Sequence, residues 1–498
     1  MNVLFVSVDS LRRDFLTTYA EQPAVVDYDV DTDNLDRFAE RATVFDTHYA
    51  GSLPCMPARR EWLTGTKEFL WRPWGPTEPF DAHIAEVARD RGILTKLITD
   101  HFHYFQHGSH GYYEEFNGFD FVRGNEYDAW KTAPLDPGRK RTDRFLDRQT
   151  DPPESVQYLN RTAYARNSFD FGSEADYFTS KVFSRAVDWL DANQEWDQWF
   201  CYIDNFDVHE PFDVPEPYAS MYTDEDPDDP ELPLWPYYGP VDEGQSELTD
   251  RELRFVRSQF AGNVTMVDRW LGELFDSLDA NDLWDETMVV VTSDHGFALG
   301  DHGYIGKNDF LPYDVIARTP LLVWHPEGTA ERVSALTTAV DLYATLLDGM
   351  DIADAPTRHS RSLEPLITDR REKHREFALY GYWGSSVNVT DGTFTYHHPP
   401  RADSETECHS THMINPNSWF TPPEPRPDAE SGRFVPYAET PVWRYGAGSW
   451  LQHEDTRLYD TTEDPRQQHD RAEEDRETAG RMRDGLRERL NELDAPST

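Results

Sequence analysis

A cysteine stands where a helix is predicted to begin. Within residues 52–65, Cys55 comes just before Pro57, which suits the first turn of a helix, and Gly65 is placed to end that helix. The free N–H groups and partial positive charge of a helix N-terminus favour an anion, so a thiolate is expected at Cys55. Arg59 adds a fixed positive charge one turn further on. The alternative is that Cys55 is a small buried apolar residue.

Two predicted strand ends carry groups that could hold a metal ion. Asp9 follows the apolar residues 3–8, and the pair Asp294-His295 follows the apolar residues 288–291. Carboxylate oxygens and an imidazole together suit a divalent cation such as Ca²⁺, Mg²⁺ or Mn²⁺. Taken singly, an aspartate after a strand is more often a helix cap, and a lone histidine is often structural.

Two further side chains could act on a bound anion. His209 follows the apolar residues 199–203 and could serve as a general acid, with a structural role as the alternative. Lys307 lies shortly after Asp294-His295 in a chain with seven lysines and 40 arginines. A lysine kept at that place suggests a specific use, and a solvated surface position is the alternative.

The elements that would position these residues form an alternating pattern. Continuous apolar runs at residues 3–8, 199–203, 288–291 and 321–324 are typical of strands buried on both faces of a mostly parallel sheet. Between them, apolar residues spaced three and four apart predict amphipathic helices within 177–191 and 256–278. We therefore predict an α/β fold, in which ligands collect at the carboxyl ends of the strands.

Two stretches interrupt this pattern. Residues 222–244 are rich in Asp, Glu and Pro and predict a surface insertion, and residues 399–448 predict a long loop over a cleft. Apolar residues at helical spacing after residue 471 predict a terminal helix on a small C-terminal unit. We place a catalytic domain at 1–374 and a C-terminal subdomain at 375–498.

Acidic residues dominate the composition. Asp and Glu number 93 against 47 Lys and Arg, and the net charge of −46 disfavours binding to nucleic acid or to an anionic membrane. An aromatic content of 13% provides a core, so the charge does not predict disorder. The charge and the scarcity of lysine favour a cytoplasm with molar salt, where the Debye length is about 3 Å. An acidic protein at ordinary salt is the alternative.

The cysteines and the N-terminus bear on the compartment. Three widely separated cysteines predict no disulfide framework and no closely spaced zinc pattern. The first residues lack the charged region of a signal peptide, and no segment approaches the ~18 apolar residues of a membrane span. These features predict a cytoplasmic protein.

Together and in this order, these segments resemble the sulfatases of the alkaline phosphatase superfamily. The family signature, C-x-P-x-R followed by L-T-G, is specific, and the similarity continues into the C-terminal part. The residues that carry it are Cys55, Pro57, Arg59, Leu63, Thr64 and Gly65 in the signature, residues 6–11 at the first strand, His209-Glu210-Pro211, residues 293–296 and 300–303, Lys307, Tyr313, Arg318, Pro320-Leu321, Asp341-Leu342-Tyr343 and Leu458-Tyr459-Asp460.

The resemblance implies a fold and a maturation step. The fold would be alkaline phosphatase-like, with a large mixed sheet flanked by helices and a smaller C-terminal α+β subdomain that has a short antiparallel sheet and a terminal helix. A formylglycine-generating enzyme would oxidise Cys55 to formylglycine, whose aldehyde hydrates to a geminal diol. One hydroxyl would attack the sulfur of a small-molecule or saccharide sulfate ester, and the other would then expel sulfate as the aldehyde re-forms.

The resemblance also implies a role for each candidate residue. One divalent metal ion, calcium first and magnesium or manganese otherwise, would be held by Asp9, Asp294, His295 and the diol at position 55. Arg59 would steady the diol, and Lys307 would bind a sulfate oxygen. The leaving group would receive its proton from His209.

Two departures from the family pattern leave alternatives open. Ser10 stands where the family often has a second metal-binding aspartate, and the segment from Thr99 to His103 has no lysine where the family often has G-K-x-H. Either His101 or His103 would then face the diol. The weaker cationic pocket and the histidine beside Asp294, His295, are compatible with the related phosphodiester and phosphonate monoester hydrolases. A noncatalytic anion-binding protein that keeps the Cys55 thiol is a third interpretation, and the sequence leaves the oligomeric state open.

Overall fold

The computed structural model describes residues 1–19, 25–106, 109–130, 144, 156–308, 310–400, 406–415, 424–447 and 455–496. The strands are β1 (Asn2–Val8), β2 (Thr43–Phe45), β3 (His48–Tyr49), β4 (Ser52–Leu53), β5 (Leu94–Thr99), β6 (Gly118–Phe121), β7 (Trp199–Asn205), β8 (Gly239–Pro240), β9 (Thr287–Thr292), β10 (Ala298–Leu299), β11 (Tyr304–Gly306), β12 (Leu321–Trp324), β13 (Arg332–Val333), β14 (Thr337–Thr338), β15 (Ala378–Tyr382), β16 (Val387–Thr390), β17 (Phe394–His398), β18 (Thr406–Ser410), β19 (Glu430–Gly432), β20 (Val442–Ala447) and β21 (Arg457–Asp460). The α-helices are α1 (Asp33–Ala39), α2 (Cys55–Thr64), α3 (Ile84–Arg89), α4 (Val156–Ser168), α5 (Phe178–Asn193), α6 (Tyr218–Met221), α7 (Asp250–Ala280), α8 (Asp314–Ala317), α9 (Asp341–Gly349), α10 (Glu364–Ile367) and α11 (Arg476–Glu492).

An eight-stranded sheet forms the centre of the molecule, in the order β13-β2-β12-β9-β1-β7-β5-β6. Neighbouring strands from β9 to β6 are parallel, whereas β12 runs antiparallel to both β9 and β2. Every residue of β1, β7 and β9 is buried, because helices cover both faces of the sheet. The predicted α/β class with a mixed, mostly parallel sheet is confirmed.

The predicted amphipathic helices are present as α5 and α7, which pack against each other. α7 begins after Thr249, whose side chain accepts a hydrogen bond from the Glu252 N–H, while the Glu252 carboxylate accepts one from the Thr249 N–H at 2.7 Å. The apolar stripe of α7 is buried, and each such side chain contributes about 1.5–3 kcal/mol relative to an exposed one. Within the described ranges, every helix is too short or too polar to cross a membrane.

A second sheet joins the C-terminal part of the chain to the strand that precedes Cys55. Its order is β21-β17-β16-β15-β4, with β4 parallel to β15 and the other pairs antiparallel. The terminal helix α11 packs on β16 and β17 and buries Met482 and Leu486. The predicted C-terminal sheet and terminal helix are confirmed. Since β4 leads into α2, this sheet also holds the start of the helix that carries Cys55.

The prediction of a long loop over residues 399–448 is wrong for the part of this stretch that is described. Strands β18, β20 and β19 form a three-stranded antiparallel sheet in that order. Several residues of these strands are only half-buried, which weakened the period-two pattern in the sequence. Residues 401–405, 416–423 and 448 lie outside the described residues.

Candidate active site

The acidic residues of the site lie at the carboxyl ends of three neighbouring strands. Asp9 follows β1, Asp204 lies near the end of β7, and Asp294 lies just after β9. These strands are adjacent in the order β9-β1-β7, so their carboxyl ends meet at one edge of the sheet. The three side chains are fully buried there. The structure therefore brings together Asp9 and Asp294, the two aspartates predicted to share a metal ion.

Cys55 is the first residue of α2. Gly65 ends this helix in the left-handed conformation, with φ 66°, and donates its N–H to the Glu61 carbonyl at 2.9 Å. The Cys55 Sγ lies 3.3 Å from His295 Nε2. Burial, followed by the negative charge of Asp9, raises the pKa of Cys55 well above its usual value. Desolvation at this position thus opposes the thiolate that the helix N-terminus was expected to favour.

Arg59 connects the three carboxylates. Its guanidinium donates to Asp9 Oδ2 at 2.9 Å, to Asp294 Oδ2 at 2.7 Å and to both oxygens of Asp204 at 2.8 and 3.0 Å. A further bond to the Cys55 carbonyl at 3.0 Å engages the fifth N–H of the group. Arg59 thus orients the carboxylates and offsets their charge, with all five donors already used.

Four side chains form a group that could bind a cation. Ligand atoms of Asp9, Cys55, Asp294 and His295 all lie within 4.8 Å of one another. His295 Nδ1 lies 2.9 Å from the Gly296 carbonyl, and a ring nitrogen facing a carbonyl oxygen carries the proton. His295 Nε2 therefore keeps its lone pair for a metal ion. Two buried carboxylates, this imidazole and the group at position 55 fit a divalent cation.

Ser10 orients two of these ligands. It adopts a φ of 60°, its backbone N–H donates to Asp294 Oδ1 at 3.1 Å, and its Oγ donates to Asp9 Oδ1 at 2.8 Å. The serine thus holds both carboxylates by hydrogen bonds at the position where the family pattern often supplies a further carboxylate. The group accordingly carries one negative charge fewer.

Lys307 approaches the same carboxylates from the loop after β11. Its Nζ lies 3.8 Å from Asp9 Oδ1 and donates to Ser10 Oγ at 3.3 Å. Burial lowers the pKa of Lys307, but the carboxylates around it, which include Asp9, Glu210 and Asp294, help to outweigh burial and raise it overall. A solvated surface lysine is excluded, since the side chain is buried beside Cys55.

The two histidines after β5 contact different partners. His101 Nδ1 lies 3.3 Å from Asp204 Oδ2, and burial lowers the pKa of His101 well below its usual value. His103 lines the cavity that contains Cys55, and its Nε2 lies 3.0 Å from Glu126 Oε2. Of this pair, His103 faces the space that a substrate would occupy, whereas His101 supports Asp204.

His209 lines the same cavity. Its ring stacks on Phe206 with 4.1 Å between centroids, and its Nδ1 lies 2.7 Å from the Glu210 carbonyl. This carbonyl places the proton on Nδ1 and leaves Nε2 to exchange a proton with a ligand. Burial, followed by the charge of Lys307, lowers the pKa of His209 well below its usual value. The ring is therefore neutral before a substrate binds.

Comparison with known proteins identifies the family. The family model described as Sulfatase matches residues 1–352. The chain belongs to the sulfatase family. Over 442 residues this sulfatase is 25% identical to the multifunctional alkaline phosphatase superfamily protein PehA of Trinickia caryophylli. The alignment covers 76% of this chain and 80% of that protein. It is 22% identical over 396 residues to an arylsulfatase of Clostridium perfringens, which covers 76% of this chain and 80% of that protein.

Solved structures share the fold of this sulfatase. The phosphonate monoester hydrolase of Agrobacterium radiobacter matches with a TM-score of 0.65 and 20% identity, covering 99% of this chain and 95% of that one. The sulfatase yidJ from Bacteroides fragilis matches with a TM-score of 0.63 and 16% identity, covering 99% and 96%. The expected alkaline phosphatase-like fold is confirmed.

Sequence reasoning missed three acidic residues of this sulfatase's site. Asp204, like Asp9, lies at the end of a buried apolar run where ligands are expected to collect, but the sequence predicted no role for it. Glu210 lies within the His209-Glu210-Pro211 motif and lines the cavity. Glu126 lines it as well, from a loop where no local pattern marks it.

The prediction that residues 222–244 form a surface insertion is wrong for residues 232–238. Leu232 and Leu234 are buried in the core, and the Phe212 N–H donates to the Leu234 carbonyl at 2.8 Å. Residues 235–238 then line the cavity beside Cys55. The many Asp and Pro residues obscured the apolar run 232–238, which packs as cavity wall.

Proposed function

We propose that this sulfatase cleaves a sulfate monoester with a formylglycine made from Cys55. The observation that carries the proposal is the position of the Cys55 Sγ among ligand atoms of Asp9, Asp294 and His295, at the start of the C-x-P-x-R helix. The thiolate is the nucleophilic form of a cysteine, and burial raises the pKa of Cys55, which disfavours an unmodified Cys55 as the nucleophile. Formylglycine supplies a hydrate, one hydroxyl of which attacks sulfur while the other expels sulfate as the aldehyde re-forms.

Other residues of the chain bind the sulfate, hold the carboxylates in place and protonate the leaving oxygen. Lys307 binds a sulfate oxygen, and Arg59 keeps Asp9 and Asp294 in place. His209 holds at Nε2 the proton that the leaving oxygen receives. Because its ring is neutral at rest, His209 takes up this proton with the substrate, whose negative charge favours the imidazolium. His103, rather than His101, faces the hydrate.

We further propose that Asp9, Asp294, His295 and the group at position 55 hold one divalent cation, calcium first and magnesium or manganese otherwise. A cation there supplies positive charge to the attacking and transferred groups. Calorimetric titration of chelator-treated protein with each metal should give one site, and binding should raise the melting temperature. Asp294→Asn should weaken that site, whereas Asp197→Asn, an exposed aspartate before β7, should not. Equal titration curves for the two variants would exclude this ligand set.

Mass spectrometry of the peptide that contains Cys55 tests the maturation step. Protein purified from its natural host should carry formylglycine at position 55, and turnover of an aryl sulfate should rise with the converted fraction. Cys55→Ala should lower kcat/KM by on the order of 10³-fold or more. An unmodified thiol in all of the native protein, with no turnover, would favour the noncatalytic anion-binding protein instead.

A second candidate is hydrolysis of a phosphodiester or phosphonate monoester by the same site. The similarity to the phosphonate monoester hydrolase, and to PehA as a multifunctional protein of the alkaline phosphatase superfamily, supports this candidate. Parallel kinetics on an aryl sulfate, an aryl phosphodiester and an aryl phosphonate should give the highest kcat/KM on the sulfate. A far higher value on either phosphorus ester would reverse the order of the two candidates.

We also propose that a formylglycine-generating enzyme acts on the chain during maturation and that the protein works in a cytoplasm with molar salt. We further propose that a C-terminal subdomain begins near residue 375. Limited proteolysis tests the last of these, since a domain boundary predicts preferential cleavage close to residue 375.

A further inference from the structure

The cavity beside Cys55 has a volume of about 280 Å³. Cys55 and Lys307 contribute to its lining and are the groups assigned to the sulfate. The rest of the lining is different in character, because it includes two carboxylates and several aromatic rings. Sulfate recognition does not explain this second part of the lining. We therefore ask which leaving group these carboxylates and aromatic rings would bind.

Glu126 and Glu210 place negative charge in this cavity although they are only 4% and 3% exposed. In the described part of the chain, neither Glu126 Oε2 nor Glu210 Oε2 receives a hydrogen bond. His103 Nε2 and His209 Nδ1 lie 3.0 and 3.2 Å from these oxygens, but not in hydrogen-bonding alignment. A buried carboxylate without a compensating charge is costly, and a positively charged ligand would offset the charge of both carboxylates.

The two carboxylates act on each other. Burial raises the pKa of Glu210 to about 7 overall, with Lys307 opposing this shift and the charge of Glu126 adding to it. Ligand atoms of Glu126, Glu210 and His209 lie within 4.8 Å of one another. A single cation can therefore contact both carboxylates.

The aromatic part of the lining favours an organic cation over a metal ion. Trp74, Tyr127, Trp235, Tyr237 and Tyr238 contribute to the cavity wall. The rings of Tyr127 and Trp235 lie 4.9 Å apart, and the Tyr238 hydroxyl donates to Glu210 Oε1. Aromatic faces attract ammonium groups, and a cage of such rings is a known way to recognise quaternary ammonium ligands.

His209 cannot bind a metal ion through Nδ1, the ring nitrogen that faces Glu210. His209 Nδ1 faces the Glu210 carbonyl at 2.7 Å and so carries its proton. That nitrogen cannot donate a lone pair to an ion held between Glu126 and Glu210. Glu126, Glu210 and the aromatic wall thus offer negative charge and aromatic faces. An alkylammonium ion binds to both.

We infer that the substrate is a small sulfate ester whose leaving alcohol carries a quaternary or tertiary ammonium group, bound between Glu126, Glu210 and the aromatic wall. This inference rests on the proposed function, because it assigns the leaving group of that reaction. The cavity volume agrees with a small ester rather than a long polysaccharide, since drug-sized ligands occupy about 300–1,000 Å³.

Kinetics on a matched pair of substrates test the inference. The pair is choline O-sulfate and 3,3-dimethylbutyl sulfate, in which a carbon replaces the ammonium nitrogen. The ammonium also makes the alcohol a better leaving group, so the informative quantity is the ratio of the two kcat/KM values compared between variants. Glu126→Gln keeps the shape and removes the charge, and it should lower this ratio about tenfold.

A matched control removes the same charge elsewhere. Glu195→Gln changes an exposed glutamate before β7, at the opposite end of that strand from the site, and it should leave the ratio unchanged. Glu210→Gln provides a second test should Glu126→Gln fail to fold. A ratio that is the same in the wild type and in both cavity variants would overturn the inference. All measurements use one KCl concentration, because salt screens the carboxylates.

Binding without turnover separates this inference from the proposed function. Calorimetry on the full chain should show choline binding about tenfold more tightly than 3,3-dimethylbutan-1-ol, whether or not Cys55 is converted. Turnover of an aryl sulfate with no preference for choline would refute the ammonium pocket alone. Choline binding without turnover of any sulfate ester would instead refute the proposed function. A Mn²⁺ site that Glu126→Gln removes and choline does not occupy would assign the carboxylates to a metal and overturn the inference.

Discussion

At the scale of single residues, the hydrogen bonds of Arg59 distinguish Asp204 from Asp9 and Asp294. The latter two belong to the cation group, which is formed by Asp9, Cys55, Asp294 and His295. Arg59 gives two hydrogen bonds to Asp204 but one each to Asp9 and Asp294. Asp204 also accepts from Ser7 Oγ at 2.5 Å. Asp204 is thus the anchor that fixes Arg59, and it acts through Arg59 on the cation group as a positioning residue.

Asp204→Asn should reduce the free energy of unfolding by about 3–5 kcal/mol, because it leaves a buried guanidinium underpaired. Burial raises the pKa of Asp204, but Arg59 and His101 outweigh burial and lower it well below its usual value. The carboxylate therefore stabilises the fold at neutral pH, and this contribution begins to decline as the pH falls below the unfolded-state pKa of about 3.9 and is lost by the folded-state pKa. Urea unfolding between pH 7 and pH 3 should show a flatter acid dependence for the variant.

Asp197→Asn is the control for that measurement, since Asp197 is exposed just before β7. It should change the stability by no more than about 0.5 kcal/mol. Equal losses in the two variants would contradict an anchoring role for Asp204.

The variant His209→Asn tests whether His209 donates a proton to the leaving oxygen or has only a structural role. If His209 protonates the leaving oxygen, the variant should lose about 10²–10⁴-fold in kcat on an alkyl sulfate. It should lose much less on 4-nitrophenyl sulfate, because a nitrophenolate leaves without a proton. Steady-state kinetics on both esters measure the difference. Equal losses on the two esters would show that His209 has a different role.

At the scale of elements, β11 and the loop after it approach the cavity wall closely. Gly306 ends β11 with a φ of 116°, and a Cβ there would lie 2.5 Å from Tyr238 Cγ. The Lys307 carbonyl accepts a hydrogen bond from the Tyr382 hydroxyl at 2.6 Å. The glycine thus allows Lys307 to pass beside Tyr238 and enter the site, and β15 of the second sheet holds it there.

Gly306→Ala should displace Lys307 or Tyr238. The positive φ alone costs about 1 kcal/mol or more for alanine, and the contact with Tyr238 adds to it. We expect a lower melting temperature together with a higher KM for the sulfate ester, because the proposed function assigns a sulfate oxygen to Lys307. Gly172→Ala is the matched control, as a Cβ at Gly172 would have no neighbour within 4 Å. A Gly306→Ala protein that matches this control in both quantities would contradict the argument.

At the scale of the whole molecule, a net charge of −46 opposes a buried site that must attract an anion. Long-range repulsion acts on the fold and on the substrate alike. Salt at about 1 M reduces the Debye length to about 3 Å, which removes the distant repulsion and leaves contacts such as that of Lys307 with Asp9. The local cations then determine what the site binds.

The stability of the protein should therefore increase with salt. Raising KCl from about 0.1 M to 1 M shortens the Debye length from about 10 Å to about 3 Å. We expect the melting temperature to rise over this range and then to level off, because screening is nearly complete. Calorimetry in KCl provides the measurement, with sucrose as a control for effects that do not involve ions. A melting temperature that stays constant or falls with KCl would contradict adaptation to molar salt.

The sequence alone determined the features that depend on local order. The buried apolar runs of β1, β7, β9 and β12, the apolar stripe of α7 and the C-x-P-x-R signature are each contained in one segment. Because the carboxyl ends of parallel strands share an edge, the sequence also indicated that Asp9 and Asp294 would meet.

The tertiary structure alone decided the features that depend on contacts between distant segments. It decided that Asp204 anchors Arg59, that His103 rather than His101 lines the cavity, and that residues 235–238 form part of its wall. It also decided that burial raises the pKa of Cys55, since desolvation arises from packing that no local pattern encodes. The physical reason is the same throughout: burial and charge compensation are set by neighbours in space, whereas strand and helix patterns are set by neighbours in sequence.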